Sequence, residues 1–254
     1  MSIGACSGES SSPIPPGSEP DAGPNPNPNP NPHPNPQDAG SSDSGKADAQ
    51  TPPTVSLPLD VPWIAQKPEL PRGCEVTSLA MLLHYAGTPA NKMVLADQIV
   101  KVPYMKDGLH GNPYDGFVGD MYTFSNPGYG VYHGPVARLA ERYFPGRILD
   151  LTGAELDGLL TDHVARGRPV WVISNARFQK LAPSDFETWH TASGDVSITW
   201  HEHSVVITGF DTASVFINDP LDTSAGKNKK LNRKDFREAW EQMGKQAITY
   251  KAER

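Results

Sequence analysis

The run from Asn25 to Gly45, NPNPNPNPHPNPQDAGSSDSG, sets the first limit on what this chain can fold into. In its first part every second residue is proline, which fixes φ and offers no backbone donor, so neither a helix nor a central strand can form there. Residues 1 to 50 hold almost no aliphatic or aromatic side chain after Ile14, too little apolar surface to offset the entropy of ordering the backbone. Alternating prolines favour an extended polyproline II spacer. Residues 1–52 are therefore expected to be a disordered tail or stalk, and residues 53–254 one compact domain.

Charge follows the same division. Six acids of the tail (Glu9, Glu19, Asp21, Asp38, Asp43 and Asp48) against Lys46 carry most of the formal net charge of −7, which leaves the domain nearly neutral. With no basic run, nucleic acid is not expected as a partner, and no window reaches the length of a membrane-spanning helix. The two cysteines, Cys6 and Cys74, stand one in the tail and one in the domain. A bridge between them would tether a floppy tail for little structural gain, so a free thiol is expected at Cys74. Ile3-Gly4-Ala5-Cys6, followed by Ser7-Gly8, looks like the cleavage box of a bacterial lipoprotein signal, without the charged and apolar regions that should precede it. The expectation is an extracellular or cell-surface protein, tethered to a bacterial membrane through a lipidated Cys6 if the start is truncated; a chance match would remove the tether.

Within the domain, LPLDVPWIAQ reads as an extended opening segment ending at Gln66. From Cys74 to Ala86, Val76, Leu79, Ala80 and Leu83 fall on one helical face, and Gly87 supplies the stop. Further helices are expected near Asn91 to Val100, from Pro135 onward, after a capping box at Thr152 to Glu155, and over Asn232 to Met243. Strands are expected at Pro169 to Ser174, Val196 to Phe210, Ser214 to Asn218 and Gln246 to Lys251, the middle two forming a hairpin turned at Asp211-Thr212-Ala213. Helices first and an antiparallel sheet afterwards is the pattern of an α+β domain.

The chemistry gathers around Cys74. A cysteine attacks as thiolate, and the free N–H groups and dipole of a helix N-terminus lower its pKa. A lone helical cysteine is more often a small buried hydrophobe, so its neighbours decide. His203 begins the strand that carries Val205 and Ile207, and Asp219 ends the next one. A hairpin centred near residue 212 puts the two roughly opposite each other, where the carboxylate could hold the imidazole in its reactive tautomer. Gln66, upstream of Cys74, could donate to an oxyanion beside the Cys74 backbone N–H.

Gln66, then Gly73-Cys74-Glu75 with Thr77-Ser78-Leu79, then Gly111-Asn112-Pro113 with Gly116-Phe117-Val118-Gly119, then Glu202-His203, Gly209-Phe210-Asp211 and Asn218-Asp219-Pro220 together resemble the stand-alone branch of cysteine peptidase family 39. That family is similar to the bacteriocin-processing peptidases. The resemblance covers about residues 57 to 250 and implies a papain-like fold with N-terminal helices packed on an antiparallel sheet. It also implies a Cys-His-Asp triad with an upstream Gln, which maps by motif to Cys74, His203, Asp219 and Gln66. A peptide or protein substrate follows, with no cofactor and a monomeric enzyme. The bacteriocin processors carry transporter parts that these residues lack, so a double-glycine leader is not inherited as substrate.

Three other readings compete. His201, Glu202 and His203, with His190 or Asp195, could be metal ligands, but the spacing matches no standard pattern and no metal is expected. A non-catalytic surface module could hold peptide or glycan on the aromatic loop of Tyr104, Tyr114, Phe117, Tyr122, Tyr129 and Tyr132; those rings could equally pack the loop against the domain. A cell-wall amidase or transglutaminase-like acyltransferase could use the same triad. Asp211 rivals Asp219 as orienting acid but is expected at the hairpin turn, and Asp115 and Asp120 are expected to be solvated rather than calcium ligands.

Overall fold

The computed structural model describes residues 55–252. The expected stalk and the Cys6 box lie outside these residues. Along the chain come α1 (Cys74–Tyr85), α2 (Lys92–Gln98), β1 (Lys101–Val102), β2 (Met105–Lys106), β3 (Leu109–His110), β4 (Phe117–Val118), α3 (His133–Tyr143), β5 (Ile148–Asp150) and α4 (Leu156–Gly158). There follow β6 (Val170–Asn175), β7 (Glu187–Thr191), β8 (Gly194–Ile198), β9 (Glu202–Phe210), β10 (Ser214–Asn218), β11 (Lys229–Asn232), α5 (Arg233–Gln242) and β12 (Ala247–Tyr250). The order is that of an α+β fold, with N-terminal helices and a later antiparallel sheet.

The main sheet runs β11-β10-β9-β6-β12-β5, every neighbouring pair antiparallel. Alternation along each strand divides its residues between two cores. Trp171, Ile173 and Ile248 face α1, α2 and α3. Val170, Val172, Val205, Ile207, Val215 and Ile217 face Phe236 and Trp240 of α5 and the helical turns after Leu156. Each large side chain so buried contributes about 1.5–3 kcal/mol to transfer from water. A second sheet, β2-β3-β7-β8, packs Trp189, Val196 and Ile198 against Tyr129 and Tyr132.

Helix α1 sits deeper than a one-faced pattern requires, for every residue from Cys74 to Leu83 is buried. Its polar members find partners: Thr77 Oγ1 donates to Gly73 O at 2.7 Å and Ser78 Oγ to Ser204 O, on β9, at 3.0 Å. A helix enclosed on all sides is the central pillar of its domain.

Two expectations are corrected. Val196 to Phe210 is not one strand but β8 and β9, which belong to different sheets. Thr199 makes the break: its Oγ1 accepts from His201 N at 3.3 Å and its carbonyl from Glu202 N at 3.1 Å, a local turn that competes with the ladder. The Thr152–Glu155 capping box does not form, because Thr152 Oγ1 accepts from Ala247 N instead, and the helix starts at Leu156 behind Glu155. That helix soon widens to a π turn over Leu159–His163, tightens to 3-10 over Val164–Arg166 and ends at Gly167 with φ +79°.

Candidate active site

Helix α1 begins at Cys74, and its N-cap, Gly73, supplies no side-chain cap. Within that first turn the Glu75 carboxyl accepts from its own backbone N–H. Gly73 cannot be enlarged freely, since a Cβ there would lie 2.6 Å from Leu70 Cβ. Cys74 is fully buried.

His203 and Asp219 come together as the hairpin reading expected. Nε2 of His203 is 2.8 Å from Asp219 Oδ1, with both side chains buried. The β9–β10 register centres near residue 212 and shifts at Phe216/Ile217, so Asp219 lies just past the paired ladder and reaches back to the ring. Oδ1 also accepts from Leu221 N, while Oδ2 lies 3.1 Å from Lys229 Nζ and the Asp219 carbonyl accepts from Trp63 Nε1 at 2.8 Å. Burial alone would raise this carboxyl; the His203 ring, the bond to it, and Lys229 outweigh burial and hold it well below the ordinary carboxylate range. Phe178 packs at 6.0 Å from the ring of His203. Lys229, Trp63 and Phe178 escaped sequence reasoning, because only tertiary packing brings them to Asp219 and His203.

Gln66 is buried near α1, but its Nε2 donates to Leu70 O at 3.2 Å and Pro71 O at 3.0 Å. An oxyanion role requires that amide to turn.

Cys74 departs from expectation. It is bonded in a disulfide, so the free-thiol expectation does not hold. Around its sulfur stand two acids that were not assigned to catalysis: Glu75 Oε2 at 3.4 Å and Glu202 Oε2 at 4.0 Å. Burial, partly offset by backbone N–H donors, pushes Glu75 up to about 8, and burial with Glu75 beside it pushes Glu202 well up. A carboxylate on a helix otherwise closed to solvent, and another at the head of an apolar strand, were the available signals.

The metal reading fails to converge on His201 and His203. His190 and Asp195 bind each other at 2.7 Å, His201 lies 3.9 Å from Asp185, and His203 is held by Asp219. Among the described residues, the grouped potential ligands are instead Cys74, Glu75 and Glu202. Asp211 stays at the hairpin turn, bonded to Ala213 N. Asp115 bonds Ser193, and Asp120 bonds Tyr122 N and Asn126. Of the loop aromatics, Phe117, Tyr129 and Tyr132 are buried in the core, while Tyr114 and Tyr122 remain exposed.

A cysteine heading a helix, a histidine heading a facing strand and an aspartate past the neighbouring strand make up the frame of papain-like proteins. Residues 58–248 match the Peptidase_C39 like family, and the chain belongs to it. It is 45% identical over 194 residues to the uncharacterised protein YvpB of Bacillus subtilis strain 168, covering 75% of this chain and 74% of YvpB. A crystal structure of a Bacillus anthracis protein assigned to the C39-like peptidases is 51% identical, with a TM-score of 0.75, covering 78% of this chain and 99% of that one.

Proposed function

We propose that this chain is a cysteine peptidase that hydrolyses amide bonds through a thioester on Cys74. The observation that carries this reading is the His203 Nε2–Asp219 Oδ1 bond of 2.8 Å at the head of β9, with α1 and its Cys74 packed on that strand. Asp219 occupies Nε2 and so directs Nδ1 to serve the thiol. Cys74 gives its proton to that nitrogen, the thiolate attacks the carbonyl carbon, and the imidazolium returns the proton to the leaving amine. Water, deprotonated by the same ring, then cleaves the thioester. The Cys74 N–H donates to the oxyanion, joined by Gln66 Nε2 once it leaves Leu70 and Pro71. The bond at Cys74 has to be reduced first, and a disulfide fits the extracellular or surface location proposed for the protein.

The test offers the reduced full chain a peptide library and peptidoglycan fragments side by side. Peptide products that fall by about 10³-fold or more in Cys74→Ala and in His203→Ala are expected. Turnover that persists in Cys74→Ala refutes the nucleophile, and products from the glycan-linked peptides alone move the enzyme to the amidases.

A further inference from the structure

We propose that Lys92 is a positioning residue for Gln66, its ammonium fixing the backbone from which the Gln66 amide reaches an oxyanion. The inference rests on the proposed acyl transfer at Cys74, with Gln66 as its second oxyanion donor. Nζ of Lys92 donates to Ala65 O at 2.6 Å, to Gln66 O at 3.0 Å and to Glu69 Oε2 at 2.7 Å. An ammonium has three N–H donors, and three acceptors meet it here. The Lys92 side chain is 13% exposed and that of Glu69 49%. An ion pair with a half-exposed carboxylate contributes little by itself. The part of the arrangement shut away from water is the grip on two successive carbonyls.

Helix α2 gains nothing from a cation at this place. Lys92 is its first residue, behind the N-cap Asn91, whose side chain already accepts from Met93 N at 2.8 Å. A positive charge at that end opposes the helix dipole. What Lys92 reaches lies 26 residues earlier in the chain, in the segment that carries Gln66.

That segment is fastened on its other side to the loop of the orienting acid. Trp63 Nε1 donates to Asp219 O at 2.8 Å, and the Gln66 N–H donates to Pro220 O at 2.9 Å. The Gln66 carbonyl takes a second donor, Leu70 N at 3.1 Å. Its backbone N–H and both lone pairs of its carbonyl are thus engaged. The side-chain amide is bonded to the turn that follows, at Leu70 O and Pro71 O, so it can rotate toward a substrate while the backbone stays in place. Leu95 and Ala96 of α2 share a core with Leu79 and Leu83 of α1. Through Lys92, the oxyanion donor is therefore referenced to the helix pair that carries the nucleophile, and through Trp63 and Pro220 to the acid. A displacement of about 1 Å in such a donor costs on the order of 10²-fold in rate.

The test uses the reduced full chain and the library peptide that wild type cleaves fastest, with Lys92→Met, Gln66→Ala and the double variant. Lys92→Met is expected to lower kcat about tenfold with KM held within about twofold, because the oxyanion forms only on the way to the transition state. Gln66→Ala should lower kcat about 10²-fold. Adding Lys92→Met to Gln66→Ala should change kcat by less than about twofold, since Lys92 acts through the amide already removed. An equal loss in both backgrounds would make Lys92 a support of the fold at large, and an unchanged kcat in Lys92→Met would make it a bystander; either result overturns the proposal. NMR on reduced wild type gives a readout that needs neither a folded variant nor a cleaved peptide. A coupling across the hydrogen bond from Lys92 Nζ to the Ala65 carbonyl carbon is expected, and its absence is equally fatal. Wild type that shows this coupling and cleaves nothing refutes the proposed function and leaves the anchoring of Gln66 standing.

Discussion

Asp219 and Glu202 both neighbour His203, yet pH acts on them with opposite sign. Asp219 is held low by the ring and Lys229, so the stability it lends is complete above the ordinary carboxylate range and lost as pH falls below it. Glu75 and Glu202 are held high by burial. Unfolded, they ionise near 4.5; folded, Glu75 keeps its proton to about 8. Across that window the folded chain binds more protons than the unfolded one, so its stability falls as pH rises. The Glu75→Gln, Glu202→Gln double variant should flatten this slope, measured by urea unfolding from about pH 5 to about pH 8 in one fixed redox state. Equal slopes in both proteins would mean that the carboxyls ionise normally. Neither acid was legible as a partner of Cys74 in the sequence. Glu75 reads as a favourable first-turn acid on any helix, Glu202 as the outward residue of a strand, and only the fold closes both to water.

At the scale of elements, α1 and the β9–β10 hairpin were readable because each shows a strong period, 3.6 in one and 2 in the other. Their registration against each other was not. It depends on contacts such as Ser78 Oγ to Ser204 O, which ties the second turn of α1 to the residue after His203. Ser78→Ala leaves that carbonyl to its ladder bonds and should lower stability by about 1 kcal/mol, while lowering kcat more than KM, because the nucleophile's helix shifts against the histidine's strand. A variant that loses stability with kcat intact would make the bond merely structural. The division of β8 from β9 was also hidden, since Thr199, Trp200 and His201 all suit a strand and only the Thr199 bonds reveal a turn. The small sheet therefore came as a finding, assembled from pieces on both sides of α3.

For the whole molecule, the oxidised Cys74 makes redox state the first variable. Peptide hydrolysis should appear only after a dithiol reductant and disappear on reoxidation; full activity in oxidised protein, with Cys74 shown by mass spectrometry to remain bonded, would rule out a free thiolate as the working species.

The depth of the site has a thermodynamic consequence. Cys74 has 0% of its surface exposed and His203 1%. A ligand must therefore bind a minor, opened population, and its apparent dissociation constant is the intrinsic one divided by the fraction open. That divisor is common to all ligands. Substitutions that loosen the surroundings will strengthen binding across a whole substrate series by one shared factor, and selectivity between substrates will not move.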